Sequence, residues 1–196
     1  MSARIIPASH RFVPIPIPIL VLIDLQAEHL ASDRPFCVQQ ASEVLETCRR
    51  LVDGARAARL PIAHFRRIER SAFFNRATQL SAFIDGFTPR PGEMVFEHEG
   101  PSCYTAPDFR RFCEHAGEPF LVLAGFGANY AALATAIDAH THGHRLWLVA
   151  DGLGTYGSDQ SMPSLGPVLA QFGELVDADA VTRSFEELGG HTHVGR

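Results

Sequence analysis

The chain carries no surplus of positive charge, no long unbroken apolar run and no closely paired cysteines, and each absence removes a class of protein. A formal net charge of -5 and a pI near 6.0 give no electrostatic reason to bind nucleic acid or an anionic membrane. The apolar stretch from Val13 to Ile23 is broken by Pro14, Pro16 and Pro18, with only Arg4 and Arg11 as nearby cations. It therefore reads neither as a signal peptide nor as a spanning helix. Cys37, Cys48, Cys103 and Cys113 show neither CxxC pairing nor zinc-type spacing, so they read as free thiols in a reducing cytoplasm.

What is present fits one ordinary domain over 1–196, with its core at about 17–188: 196 residues, 46% apolar and 20% charged. Ile19 to Ile23 is a continuous apolar run, as expected of a strand covered on both faces, and it stops at Asp24. Val44, Leu45, Cys48, Leu51, Val52 and Ala55 recur at helical spacing within a helix expected over 37–58. Further strands are expected at 61–65, 94–97, 120–124, 145–150 and 175–181, and helices at 105–116, 128–140 and 165–172. The segment 68–87 has no clear period and reads as loop with a short helix. Strands alternating with helices predict a three-layer, doubly wound α/β fold: a mostly parallel six-stranded sheet with helices on both faces.

In an open parallel sheet, ligands gather at the carboxyl ends of the strands, and three features fall there. Asp24 ends the first strand and is placed either for proton transfer or as a plain turn aspartate. His98 lies between Glu97 and Glu99, an acidic setting that favours the imidazolium; alone, it would equally suit an exposed loop. The turn Gly125, Phe126, Gly127, Ala128 and Asn129 opens a helix and can present backbone N–H groups to an anion or oxyanion, or can serve only the packing of strand on helix. Arg66 and Arg67 follow the second strand and could clamp an anionic substrate, or could be ordinary surface arginines. His140, His142 and His144 could suggest metal, but they also suit a helix C-terminus and have no carboxylate at useful spacing. His191 and His193 read as part of a solvated tail.

Taken together, the stretches LVLIDLQAEHL (20–30), PIAHFRR (61–67), GEMVFEHEGPSCY (92–104) and LVLAGFGANYAALATAIDAHTHGHRLWLVADGLGT (121–155) resemble the isochorismatase-like, or cysteine hydrolase, superfamily. Gly125, Asn129, Ala134, Thr135, Ala136 and Asp138 match its most specific motif. The resemblance implies a catalytic set of aspartate, lysine and cysteine. It places the aspartate at Asp24, followed by Leu25-Gln26, the lysine position at His98, and the nucleophile position at Ala131. It also implies an oxyanion site at 125–129, where members often place a cis peptide at the position of Phe126-Gly127, and candidate substrate contacts at Gln26, Arg66, Tyr104 and Tyr130.

Alanine cannot form a thioester, so the resemblance implies a small-molecule hydrolase working by Asp24 general acid/base chemistry without a covalent intermediate. Isochorismatases proper also lack the cysteine but keep the lysine. A catalytically inert member that binds a ligand or forms an oligomer fits the same losses. Cys103 could supply a displaced thiol or simply pack in the core. The metal-binding Asp-x-His of nicotinamidases is replaced by His64-Phe65-Arg66, so neither zinc nor another cofactor is implied. The expected partners are a small-molecule substrate and further copies of the chain in a homo-oligomer, with neither nucleic acid nor membrane. With histidine in place of lysine, the cation beside Asp24 becomes conditional on pH near 6.5.

Overall fold

The computed structural model describes residues 17–117, 119–157 and 161–191. Strand β1 (Pro18–Ile23) is buried at every position, as its unbroken apolar run requires. It lies at the centre of a six-stranded sheet ordered β3-β2-β1-β4-β5-β6, formed with β2 (Ile62–Arg67), β3 (Met94–His98), β4 (Phe120–Phe126), β5 (Arg145–Gly154) and β6 (Glu174–Val176). Every pairing is parallel. Successive strands are added outward from β1 to one side and then, from β4, to the other, which makes the carboxyl ends of β1 and β4 the topological switch point where such folds place ligands.

Alternation along β1 sorts its side chains between two cores. Leu20 and Leu22 face a layer containing α1 (Ala41–Ala57) and α5 (Ala178–His191), packed through residues such as Leu51, Val181 and Phe185. Ile19, Val21 and Ile23 face a second layer containing α2 (Pro107–Ala116), α3 (Leu133–Thr141) and α4 (Met162–Leu169), packed through Phe109, Ala136 and Leu169. Gly117 closes α2 at φ 77°, a left-handed exit that glycine makes without a Cβ clash.

Two expectations fail. The strand expected at 175–181 ends at Val176, and α5 starts at Ala178. The Asp177 carboxylate accepts from the Ala180 N–H at 2.7 Å, and Asp151 accepts from the Ala178 N–H at 2.9 Å. Two otherwise unpaired helix-start donors are thereby satisfied, and helix wins. The strand expected to stop at Ala150 instead runs on to Gly154, past an irregularity in the β4–β5 register between Leu123 and Gly125. Residues 1–16 and 192–196, including the apolar run's first part and His193, lie outside the described residues. Among those described, no helix is long and apolar enough to cross a membrane.

Candidate active site

Parallel pairing brings Ile23 opposite Gly125 and Arg67 opposite His98. The chain segments that follow β1, β3 and β4 therefore meet at one edge. Asp24 is held there by its N–H bond to the Phe65 carbonyl at 3.2 Å, and its backbone adopts φ 51°. Aspartate tolerates this left-handed region better than most residues, at a cost of about 1–2 kcal/mol. Its side chain is fully buried.

His98 Nε2 lies 2.7 Å from Asp24 Oδ1, and its Nδ1 lies 2.8 Å from the Gly100 carbonyl oxygen. A carbonyl oxygen only accepts, so Nδ1 carries a hydrogen and donates it. One further proton must then lie between Nε2 and Oδ1. The pair thus holds a shared proton and is neutral as a unit. Burial alone pushes the imidazolium down, but the Asp24 charge, the Asp24 hydrogen bond and the Gly100 carbonyl together raise His98 above its ordinary value of 6.5. The acidic setting read from the sequence has a different source than expected. Glu97 is taken by Arg66 and Arg76, and Glu99 is exposed; Asp24, far away in sequence, holds the proton on His98.

The turn after β4 depends on two glycines. A Cβ on Gly125 (φ 124°) would lie 2.2 Å from the Ile23 carbonyl oxygen. A Cβ on Gly127 (φ 80°) would lie 2.4 Å from the Tyr156 hydroxyl and 3.4 Å from Ala131 N. Every peptide bond among the described residues is trans, Phe126–Gly127 included. Residues 128–132 form a π-helical turn leading into α3, a form often met at functional sites. Ala128 and Ala131 are fully buried in it. Phe126 is also buried, its ring edge-on to His29 at 5.3 Å. The Asn129 side chain is committed: Nδ2 donates to the Tyr156 carbonyl at 3.2 Å and Oδ1 accepts from the Tyr156 N–H at 3.1 Å. It therefore clasps the chain across the turn instead of offering its amide to an anion.

Three candidate substrate contacts lie elsewhere or are already engaged. Gln26 spends its amide on the Arg67 N–H and carbonyl and on the Ser81 carbonyl. Arg66 pairs with Glu97 and lies over the Phe83 ring. Tyr104 packs on Phe109, with its hydroxyl 2.6 Å from His144 Nδ1, and the His142 ring stacks on it as well. Tyr130 remains at the site, its ring 4.9 Å from the Arg67 guanidinium. Cys103 is fully buried, and burial pushes its thiol well above the ordinary range, so it packs and does not ionise.

Arg67, His29 and Tyr156 complete the site. Strand alternation sends Arg67 to the side opposite Arg66, among Phe36, Phe74 and Tyr130. That alternation was readable once β2 was placed. Nothing local in the sequence marks His29 or Tyr156, whose rings stack at 5.1 Å and 7°.

Fold and site together describe an α/β protein with a buried proton-holding pair at its switch point. The family model for the isochorismatase domain matches residues 18–180, and the chain belongs to the isochorismatase family. Among curated proteins it is similar to a maleamate amidohydrolase from Pseudomonas putida, 27% identical over 111 residues, covering 57% of this chain and 52% of that protein. The match thus spans about half the length of that relative. Among solved structures it is similar to an isochorismatase-like hydrolase from Alkaliphilus metalliredigens (18% identity, 86% and 98% covered, TM-score 0.76). A cysteine hydrolase from Pseudomonas syringae pv. phaseolicola superposes with TM-score 0.79 (14% identity, 88% and 93% covered).

Proposed function

We propose that this chain is a small-molecule hydrolase of the isochorismatase family that works without a cysteine nucleophile. Asp24 is the general acid or base, and His98 is the group that holds and shares its proton. The observation that carries the reading is the buried 2.7 Å contact between His98 Nε2 and Asp24 Oδ1, with Asp24 Oδ2 left without a hydrogen-bond partner. A buried carboxylate with one oxygen on a proton store and the other unengaged is arranged to exchange a proton with a bound molecule. Ala131 stands in the position the family resemblance assigns to the nucleophile, and its methyl group supports no acyl intermediate. Similarity to an amidohydrolase supports hydrolysis of a small molecule as the reaction class.

Asp24→Asn keeps the volume and removes the titrating proton. Turnover is expected to fall at least about a hundredfold with the fold retained by circular dichroism; retained turnover in a screen of enol ethers, amides and esters sinks the acid–base role. Because His98 is raised above 6.5, the proton-loaded pair persists past the ordinary histidine range, and the alkaline limb of kcat/KM should lie above pH 6.5. Iodoacetamide should alkylate only the partly exposed Cys37 and leave turnover intact, since Cys48, Cys103 and Cys113 are buried; loss of activity with an adduct on a buried thiol counts against the non-covalent route. The Tyr156 hydroxyl seated on Gly127 favours a second reading, an inert member that binds a ligand. Ligand binding without turnover on any substrate class would establish it.

A further inference from the structure

Five buried side-chain polar atoms among the described residues have no hydrogen-bond partner, and four of them belong to one cluster: Asp24 Oδ2, His29 Nε2, Arg67 Nη1 and Tyr156 Oη. The fifth, Arg66 Nε, belongs to the Glu97 network. Unpaired polar atoms are rare in folded interiors because each loses its hydration without replacement. Four in one place describe a site shaped for something else.

Their chemistry can be sorted. His29 Nδ1 lies 2.8 Å from the Phe36 carbonyl, so Nδ1 carries the hydrogen. Burial pushes the ring below its ordinary value and leaves Nε2 as an acceptor. Asp24 Oδ2 is a second acceptor. Tyr156 is driven up chiefly by burial and then by the Asp24 charge, so it keeps its hydrogen as a donor. Arg67 lies close enough to act on it, yet the Tyr156 hydroxyl and Arg67 Nη1 are both left without a partner. Arg67 itself is aimed. Its Nε donates to Glu69 at 2.5 Å, and Nη2 pairs with the same oxygen. Gln26 grips its backbone from both sides, and three aromatic rings flank the guanidinium at 4.5–5.2 Å. Only Nη1 is left to face the cluster. Tyr130, 37% exposed, is the part of this wall nearest solvent.

We propose that Arg67 and Tyr156 form a carboxylate-binding subsite beside Asp24, and that the ligand is a small carboxylate whose other end carries an N–H or O–H donor for Asp24 and His29. An Arg N–H beside a phenol O–H is a donor pair suited to one carboxylate. The two acceptors offer no hydrogen to a second carboxylate, whose lone pairs would face theirs, and take an amide or hydroxyl hydrogen instead. The proposal deepens the functional reading above and rests on the same site, but it concerns binding and requires no turnover.

Titration calorimetry with succinamate, which has one carboxylate and one primary amide, and with the neutral succinamide tests it. The wild-type protein should bind succinamate at least about tenfold more tightly than succinamide, the margin of a charge-assisted pair. Arg67→Met should reduce that preference to within about twofold, and Tyr156→Phe should weaken succinamate severalfold. Should Arg67→Met fail to fold, Arg67→Lys, which keeps the charge without the planar fork, should weaken succinamate while leaving succinamide unchanged. Equal binding of the two ligands, binding of neither, or a preference that survives Arg67→Met overturns the subsite. Succinamate binding with no turnover on any substrate leaves the subsite standing and removes only the hydrolase reading.

Discussion

All 17 Lys and Arg side chains of the sequence are arginine, and the group that stands beside Asp24 is a histidine. An ammonium is a fixed point charge near neutral pH, whereas His98 is an oriented ring with one nitrogen held by the Gly100 carbonyl and the other committed to Asp24. Gly127 shows the same dependence on single atoms. Gly127→Ala should lower stability by about 1–3 kcal/mol, since it combines a positive φ with a clash against the Tyr156 hydroxyl. Gly143 shares a positive φ of 73° but has open space around it. Gly143→Ala should therefore cost less, and the difference in melting temperature between the two variants isolates the Tyr156 contact. Equal losses would show that backbone strain alone is felt.

Among the elements, α5 shows how tertiary packing completes a weak local signal. Val181 and Phe185 lie four residues apart on one face, both fully buried, and Phe185 packs alongside Gly54 of α1. The sequence predicts one strand over 175–181; in the structure Asp177 divides it, with Leu175 and Val176 in β6 and Ala178 onward in α5. Phe185→Ala should cost about 3–5 kcal/mol in urea unfolding, the usual result of emptying an aromatic core position. Val168→Ala, at a position 41% exposed on α4, should stay within about 0.5 kcal/mol. A small loss for Phe185→Ala would mean that α5 is not docked as described. Strand β2 was legible as an element, yet which of its two arginines faces the site depended on strand parity, and parity is settled only when the register is known.

For the molecule as a whole, buried titratable groups set a stability window. His29 and His64 are lowered below 6.5 by burial. The unfolded chain therefore binds more protons as pH falls, and their contribution is lost below about pH 6.5. Glu93 adds a second acid step. Burial alone would raise its carboxyl, but hydrogen bonds from Arg56, the Arg90 N–H and His64 hold it down at about 2. The stabilisation it gives above pH 4.5 disappears between there and about pH 2. His98 acts in the opposite sense: raised on folding, it stabilises below 6.5, and that contribution is lost as pH rises through its folded value. Melting temperature should peak near neutrality, and Glu93→Gln should flatten the lower acid step, lower His64 further by removing the Glu93 charge that supports its imidazolium, and leave the His29 part of the step near pH 6.5 in place. A profile unchanged by that substitution would remove Glu93 from the account.

The sequence by itself determined the class of fold and the existence of the site edge, because both rest on short-range pattern. Buried parallel strands must be apolar throughout, amphipathic helices must cover them, and Asp24, His98 and the Gly125–Gly127 turn each follow a recognisable strand. Only the tertiary structure decided what those residues do to one another. The proton on His98 is held by Asp24, 74 positions away, and not by its acidic neighbours. Gln26 and Asn129 are used to brace Arg67 and Tyr156. The unpaired cluster draws on three separate segments of chain. Electrostatic coupling and hydrogen-bond satisfaction depend on distances of a few ångströms in space, and a linear pattern carries that information only after the strands have been put in register.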